Sequence, residues 1–298
     1  MLKQKMKKAA LPVAAAATVA AVAVGLSTMD GQHATPTAGG TAGAEPQAGQ
    51  VVKKDPRDPA TWALPVEAYM PTSSQAQVIT RARAKAIDKC LAEAGYPQWT
   101  PPPALPPLGG KTLTDRRYGI HDKKLAARRG YHPAAAEQEA YNKAMEAGAV
   151  DRSGSDEGVK RRCASLAEAK VPTARLLGSY AETLGNNAFR KATASLPVKA
   201  VFAKWSACMK GKGYSYKQPM DANDDPRFND PDTVTRREIA TALADIDCRD
   251  TYNVAKVWFD AEAAQQQPAI AQHKQRLESD RNATLQAVAE SRTILASR

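Results

Sequence analysis

Lys204-Trp205-Ser206-Ala207-Cys208-Met209-Lys210-Gly211-Lys212-Gly213-Tyr214 reads as the closing turns of a helix. Glycine commonly ends a helix in the left-handed region, where a Cβ is costly. With Gly213 as the residue just past the helix, Tyr214 follows it. An apolar contact then falls between Tyr214 and Met209. Cys208 sits one residue before that contact, on a face shared with Val201, Lys204 and Trp205. The same grammar occurs earlier as Cys90-Leu91-Ala92-Glu93-Ala94-Gly95-Tyr96, with Gly95 as the stop and Tyr96 set against Leu91. Gly95, Tyr96, Gly213 and Tyr214 are therefore structural helix stops. Two copies of Cys-x4-Gly-Tyr point to two related helical units, set against chance recurrence of a common pair.

Each of these helix ends carries a cysteine, so the redox compartment decides how they are read. Met1 to Lys8 holds four lysines ahead of an alanine- and valine-rich run over 9–26. A basic segment before an apolar one is the form of a secretory signal. The run is about 18 residues, at the lower limit for spanning a bilayer, so an uncleaved anchor is the alternative for residues 1–26. Lysines before the run export the remainder in either case. Membrane contact is thus expected only through this segment, if it is uncleaved. Outside the cytoplasm an even number of cysteines means disulfides first and metal second. The four are Cys90, Cys163, Cys208 and Cys248. Cys90–Cys163 and Cys208–Cys248 are the favoured pairs, since each joins a Gly-Tyr helix end to the next cysteine-bearing helix. A four-thiolate zinc site is the alternative, and it lacks Cys-x2-Cys knuckles. No metal or other cofactor is expected.

Hydrophobic residues make up 43% of the 298 but aromatic residues only 6%, so a purely apolar core would be thin. Net charge is +11, of which the first sixty residues carry +3. A basic exported body meets anionic wall polymer and lipid headgroups before nucleic acid, though solubility alone also accounts for the charge. The basic residues are scattered, which with export argues against nucleic-acid binding. Residues 27–60 are rich in Gly, Ala, Thr, Pro and Gln and read as a disordered tether.

Helical spacing begins after Trp62. Ser74 with Gln77 resembles a capping box for a helix over 73–94. Pro97, Pro101, Pro102, Pro103, Pro106 and Pro107 forbid regular structure until Gly110, as a rigid connector or a polyproline ligand. The stretch 116–132 is the least legible. A short helix over 122–129 stopped by Gly130 fits it. His121, Asp122 and His132 form an imaginable ligand or acid–base set, but nothing in the sequence brings them together, and a surface loop is the plain reading. Helices follow over 133–147, from Ser155 or Asp156 with Val159, Cys163, Leu166 and Ala167 on one face, and from Pro172 with loosening at Gly185-Asn186-Asn187. Ser195 caps the helix that carries Val198, Val201, Phe202 and Trp205, an aromatic stripe of the kind found in cores.

Asp221, Asn223, Asp225 and Asp232 match calcium-loop positions in type, but Pro226 stands where the sharp turn wants glycine. The plain reading is a solvated loop with Asp230 as cap and Pro231 as first helical residue. Beyond Asp232 there is no glycine, and Pro268 is the only proline. A single helix over 232–296 would span about 95 Å at 1.5 Å per residue, kinked by Pro268. Beyond the kink the seam of apolar residues is thinner than a clean coiled coil. Residues 268–298 are therefore expected to project or to pair with another chain.

Tyr118-Gly119, Asp122, Ala127 and Gly130-Tyr131, then Trp205-Ser206-Ala207-Cys208-Met209 with Gly213-Tyr214, then Glu238-Ile239-Ala240, Ala244-Asp245 and Cys248 together resemble a family of uncharacterised secreted proteins from actinobacteria. The resemblance covers roughly residues 72–265. It implies export, an envelope location and a helical fold, and brings no activity with it. Some relatives carry a lipid-attachment cysteine near the N-terminus, which is absent from this sequence.

The sequence contains no Gly-x-Ser-x-Gly, no His-Glu-x-x-His and no phosphate-binding Gly-rich loop. Glu182, Glu238, Asp245 and Asp247 supply carboxylates for a glycosidase, but they lie in helical patterns where a solvated face is the default. The expected fold is all-α: an irregular disulfide-stapled helical bundle over 61–267 with a long, Pro-kinked C-terminal helix. The expected function is that of an exported, non-catalytic envelope adaptor whose C-terminal helix meets a protein partner. The alternative is a protein that binds or hydrolyses wall polymer such as peptidoglycan.

Overall fold

The computed structural model describes residues 55–148 and 153–297. The expected signal or anchor over 1–26 and residues 27–54 of the expected tether lie outside the described residues. The tether's last residues, 55–60, form a turn that introduces the bundle. Asp58 caps the 3-10 helix Pro59–Thr61, and the Trp62 indole donates to the Asp55 carbonyl at 3.0 Å.

The described residues are all helical: ten α-helices, three short 3-10 helices and no strand. The helices are α1 (Ser73–Glu93), α2 (Lys123–Arg129), α3 (Ala135–Gly148), α4 (Glu157–Lys170), α5 (Ala174–Thr193), α6 (Leu196–Gly211), α7 (Pro219–Asn223), α8 (Arg236–Thr251), α9 (Val254–Gln272) and α10 (Lys274–Ala296). Their starts follow from local chemistry. Thr72 and Gln75 form a reciprocal capping box at α1, two residues ahead of the expected Ser74 and Gln77. Asp122, Asp156, Thr173 and Thr235 cap α2, α4, α5 and α8 through their side chains. Such caps satisfy amide donors that no helical carbonyl can reach.

Both Gly-Tyr ends close as their spacing demands. At α1 the Tyr96 amide donates to the Leu91 carbonyl at 2.8 Å and the Gly95 amide to Ala92 at 3.1 Å. At α6 the Tyr214 amide donates to Met209 at 2.9 Å and the Gly213 amide to Lys210 at 3.0 Å. Gly95 and Gly213 have φ of 95° and 89°, which a side chain resists. Leu91 and Met209, whose carbonyls accept these bonds, are fully buried.

Disulfides join Cys90 to Cys163 and Cys208 to Cys248, with Cα–Cα separations of 5.6 and 5.8 Å. The first ties α1 to α4, the second α6 to α8. On the chain-entropy model, closing loops of these lengths contributes roughly 4 kcal/mol each. On α4, Cys163 and Ala167 face inward, whereas Leu166, expected beside them, is exposed.

The single helix expected over 232–296 is instead three. Thr235, not Asp230, caps α8. The chain then turns at Asn253, the one described non-glycine residue with positive φ (51°). Asparagine tolerates that region because its short side chain can bond locally. Pro268 is carried inside α9, and the second break comes later, at His273. Nor do residues 268–297 project. α10 packs against α1 and α5, burying Leu277, Ala287 and Val288. Lys85 on α1 donates to the Leu295 carbonyl at 3.2 Å and to the Ser297 carbonyl, holding down the far end of α10. The helix that stands clear is α3, which has no buried residue and no extended packing against another helix. Helix α5 runs unbroken through Gly185, where the missing side chain lets Val66 and Gln266 approach.

Candidate ligand-binding cleft

The main core gathers seven buried aromatic rings, so the few rings of the sequence are concentrated there, and buried charge is set among them. Asp245 on α8 is wholly buried. Its carboxylate accepts from Arg249 Nε at 2.6 Å and Nη2 at 3.1 Å, from the Trp205 indole at 2.8 Å and from the Tyr131 hydroxyl at 3.3 Å. Burial raises the Asp245 carboxyl above its ordinary range, and Arg249 works against that rise. A second network centres on Glu262 of α9. It accepts from Arg117 Nε at 2.9 Å and Nη2 at 2.8 Å, from the Tyr118 hydroxyl at 2.8 Å and from Gln266 at 3.0 Å. Arg117 also lies over the Phe189 ring, 4.6 Å from its centre. Both carboxylates meet the condition under which a buried charge is tolerated: a partner and further donors for the remaining lone pairs.

The stretch 116–132, least legible from sequence, therefore lies against α8 and α9, supplying Arg117 and Tyr118 to Glu262 and Tyr131 to Asp245. It approaches closely at two glycines. A Cβ on Gly119 would overlap the Arg249 guanidinium, and one on Gly130 would overlap the Glu238 carboxylate. Both have positive φ, 106° and 57°. Tyr118 and Tyr131, beside them, are the rings inserted into the core.

On its outer side this segment forms a cleft of about 490 Å³. Its walls are the 109–122 loop, one side of α2, the 130–134 turn, the first turn of α3 and Asp58. Such a size suits a small ligand or the end of a polymer. His121 Nε2 lies 2.6 Å from Asp115 Oδ1, and His121 Nδ1 lies 3.7 Å from Asp58. Burial works to raise the Asp115 carboxyl, but His121 and the Lys111 amide outweigh it and hold it below its usual value. His132 stands on the same lining with Nε2 at 3.4 Å from Glu238 Oε1. Neither His132 Nε2 nor Glu238 Oε2 finds a hydrogen bond. Burial pushes His132 down, toward the neutral imidazole; Glu238 opposes that shift, while Arg129 and Arg116 add to it.

Arg116 is the third feature. Its guanidinium is largely buried and donates through Nη2 to the Tyr131 carbonyl, yet no described carboxylate forms an ion pair with it. Burial lowers its affinity for the proton, and Asp115 and Glu137 act on it only from a distance. A second groove of about 510 Å³, between α3 and Pro231-Asp232, is walled mainly by exposed side chains of α3.

Of the three residues of the imagined set, His121 and His132 do meet on one cleft. Asp122 lines it too, but its carboxylate accepts from the Lys124 and Leu125 amides at 2.8 and 3.0 Å as the cap of α2. The supposed glycosidase carboxylates do not converge there. Glu238 and Asp245 are buried rather than solvated, and Asp247 sits outside with Lys123 at 2.8 Å. The supposed calcium loop folds as α7 and the 3-10 helix Pro226–Phe228. Asp225 is held by Arg227 and by Tyr216 at 2.7 Å. All four cysteines are in disulfides, and among the described residues no cluster of His, Cys, Asp and Glu is arranged to hold a metal. Among the described residues no helix is long and apolar enough to cross a membrane. Nothing in the sequence singles out Arg116 and Asp115, although the Tyr-Gly and Gly-Tyr pairs that bracket 118–131 mark the turns that set them. No side chain lining the cleft bears a hydroxyl or thiol. Its polar side chains are carboxylates (Asp58, Asp115, Asp122, Glu137), imidazoles (His121, His132) and the cations Lys111, Arg116 and Arg128. No family model, curated protein or solved structure matches this chain.

Proposed function

We propose that this is an exported, non-catalytic protein of the cell envelope that works by binding, and that the cleft between α2 and the 109–122 loop takes a unit of wall polymer. The observation that carries this reading is the largely buried Arg116 without a counter-ion on a concave wall. A buried cation lacking an anion is costly, and a ligand anion would supply the missing charge. The two disulfides are consistent with an extracytoplasmic location. The test is co-sedimentation of the exported body with purified peptidoglycan sacculi. Binding that persists at moderate salt supports the cleft, because exposed charges are screened there and partly buried ones much less. Failure to sediment, or complete release by salt, refutes it.

An adaptor role is a second reading, with α3 in place of α10 as the presented helix. It is favoured by the absence of any buried residue on α3. Charge-reversing substitutions along its exposed face, such as Glu139→Lys with Glu146→Lys, would then abolish partner capture and leave sacculus binding intact.

A further inference from the structure

We infer that the unit recognised in the cleft is a zwitterionic peptide end, whose carboxylate pairs with Arg116 and whose amine meets Glu137, rather than a polyanion. This inference rests on the wall-polymer reading above and narrows its ligand. It follows from which charges on the lining are already committed. Asp122 is spent on the cap of α2, and Asp115 on His121 and the Lys111 amide at 2.6 Å. Asp58 caps its 3-10 helix through the Ala60 amide at 3.0 Å. Four lining side chains remain without an ionic partner among the described residues: Lys111, Arg116, Arg128 and Glu137. Lys111 and Arg128 are exposed and free to turn to solvent, so Arg116 is the one cation fixed in the wall.

The lining is therefore mixed in sign, and its committed carboxylates stay close to any ligand. A phosphate polymer would bring multiple negative charges against Asp58, Asp115 and Asp122 as well as toward Arg116. Like charges at such distances disfavour binding. A single carboxylate asks for one fixed guanidinium, whose planar edge matches it. Arg116 is already oriented, because Nη2 is fixed on the Tyr131 carbonyl and Nη1 lies where a Cβ on Gly109 would come within 3.1 Å of it. Glu137, exposed at the start of α3 and on the same lining, is placed for the ligand's ammonium group. Peptidoglycan stem peptides carry this combination: free carboxylates together with the amine of a diamino acid.

The experiment is calorimetric titration of the exported body with a synthetic stem tetrapeptide, L-Ala–γ-D-Glu–L-Lys–D-Ala. Parallel titrations use its C-terminal amide, its Nε-acetyl-lysine form and a poly(glycerol phosphate) fragment. The tetrapeptide is expected to bind, and Arg116→Gln to weaken it at least tenfold, while Arg81→Gln on α1 leaves it unchanged. Because Arg116 also supports the Tyr131 carbonyl, Glu137→Gln is the second variant. It should weaken the tetrapeptide severalfold yet leave the acetyl-lysine form, already weak, unaffected. Tighter binding of poly(glycerol phosphate), or a tetrapeptide affinity indifferent to both variants, overturns the inference. Sacculi that sediment the protein while the tetrapeptide stays silent also overturn it and leave the wall-polymer reading standing. Tetrapeptide binding without sedimentation retires the polymer reading alone.

Discussion

Replacing Asp245 by asparagine tests the buried-charge account at its centre. The substitution keeps the shape of the side chain and removes its charge. Asp245 is fully buried and Arg249, at 4% exposure, nearly so. Asp245→Asn would leave the Arg249 guanidinium without an anion and would offer one acceptor oxygen where the carboxylate now serves Arg249, Trp205 and Tyr131. Breaking a buried pair from one side costs roughly 3–5 kcal/mol, mostly the burden of the orphaned charge. Arg249→Met removes that charge, but it also deprives the Tyr118 and Pro219 carbonyls of a donor, at about 1–3 kcal/mol for an unsatisfied buried group. The double variant should therefore be markedly less destabilised than the sum of the singles, by about 2 kcal/mol or more. Urea unfolding followed by far-UV circular dichroism and tryptophan fluorescence gives all four corners of the cycle. A loss below about 1 kcal/mol for Asp245→Asn, or additivity within about 0.5 kcal/mol, would show that the Asp245–Arg249 pair does not hold the core.

Gly130→Ala should be far worse than an ordinary loop substitution, because the new methyl meets Glu238 and φ is positive; a loss of about 2 kcal/mol or more is expected by urea unfolding, and a neutral result contradicts the close approach. Glu67 has its carboxyl raised to about 7 by burial, with the Leu64 amide opposing the rise. A raised carboxyl binds its proton more tightly when folded, so its contribution is fully present below about pH 4.5 and is lost as pH climbs through about 7. Glu67→Gln should therefore flatten the pH dependence of stability between those limits, and a profile identical to the parent's would contradict it. Removing one disulfide at a time, by Cys90→Ser with Cys163→Ser or Cys208→Ser with Cys248→Ser, should cost roughly 2–4 kcal/mol each in calorimetric melting. An unchanged melting temperature in either pair would show that staple to be idle.

The helix ends are legible because they rest on local stereochemistry, whereas the sulfur pairing, one of three possible, is favoured in the sequence only because it joins each Gly-Tyr end to the next cysteine-bearing helix, across separations of 73 and 40 residues. Gly213 and Gly95 must be left-handed for the chain to turn, and the cysteines one turn before them have a fixed direction. The breaks at Asn253 and His273 were not legible, since neither residue is a strong breaker and packing of α9 on α5 and α6 decides where the chain turns. The docking of α10 was hidden for a related reason. Its apolar seam is too thin to cohere by itself, but it suffices against a surface that α1 and α5 already provide. The cleft was half visible. His121 and His132 drew notice as titratable residues, but their meeting depends on the 111–132 segment closing over Glu238 and Arg249. Those two residues look like ordinary members of a solvated helix, because burial of a charge is set by partners far along the chain. Arg117 and Glu262, 145 residues apart, are the clearest example.

Two covalent ties hold the helical bundle around its rings and buried charge. The most direct test is non-reducing peptide mapping of the protein recovered from its native host, after alkylation of any free thiol. The account predicts Cys90 linked to Cys163 and Cys208 linked to Cys248, with no alkylated cysteine. Free thiols in folded material, or a bridge between Cys90 and Cys208 or Cys248, would contradict it.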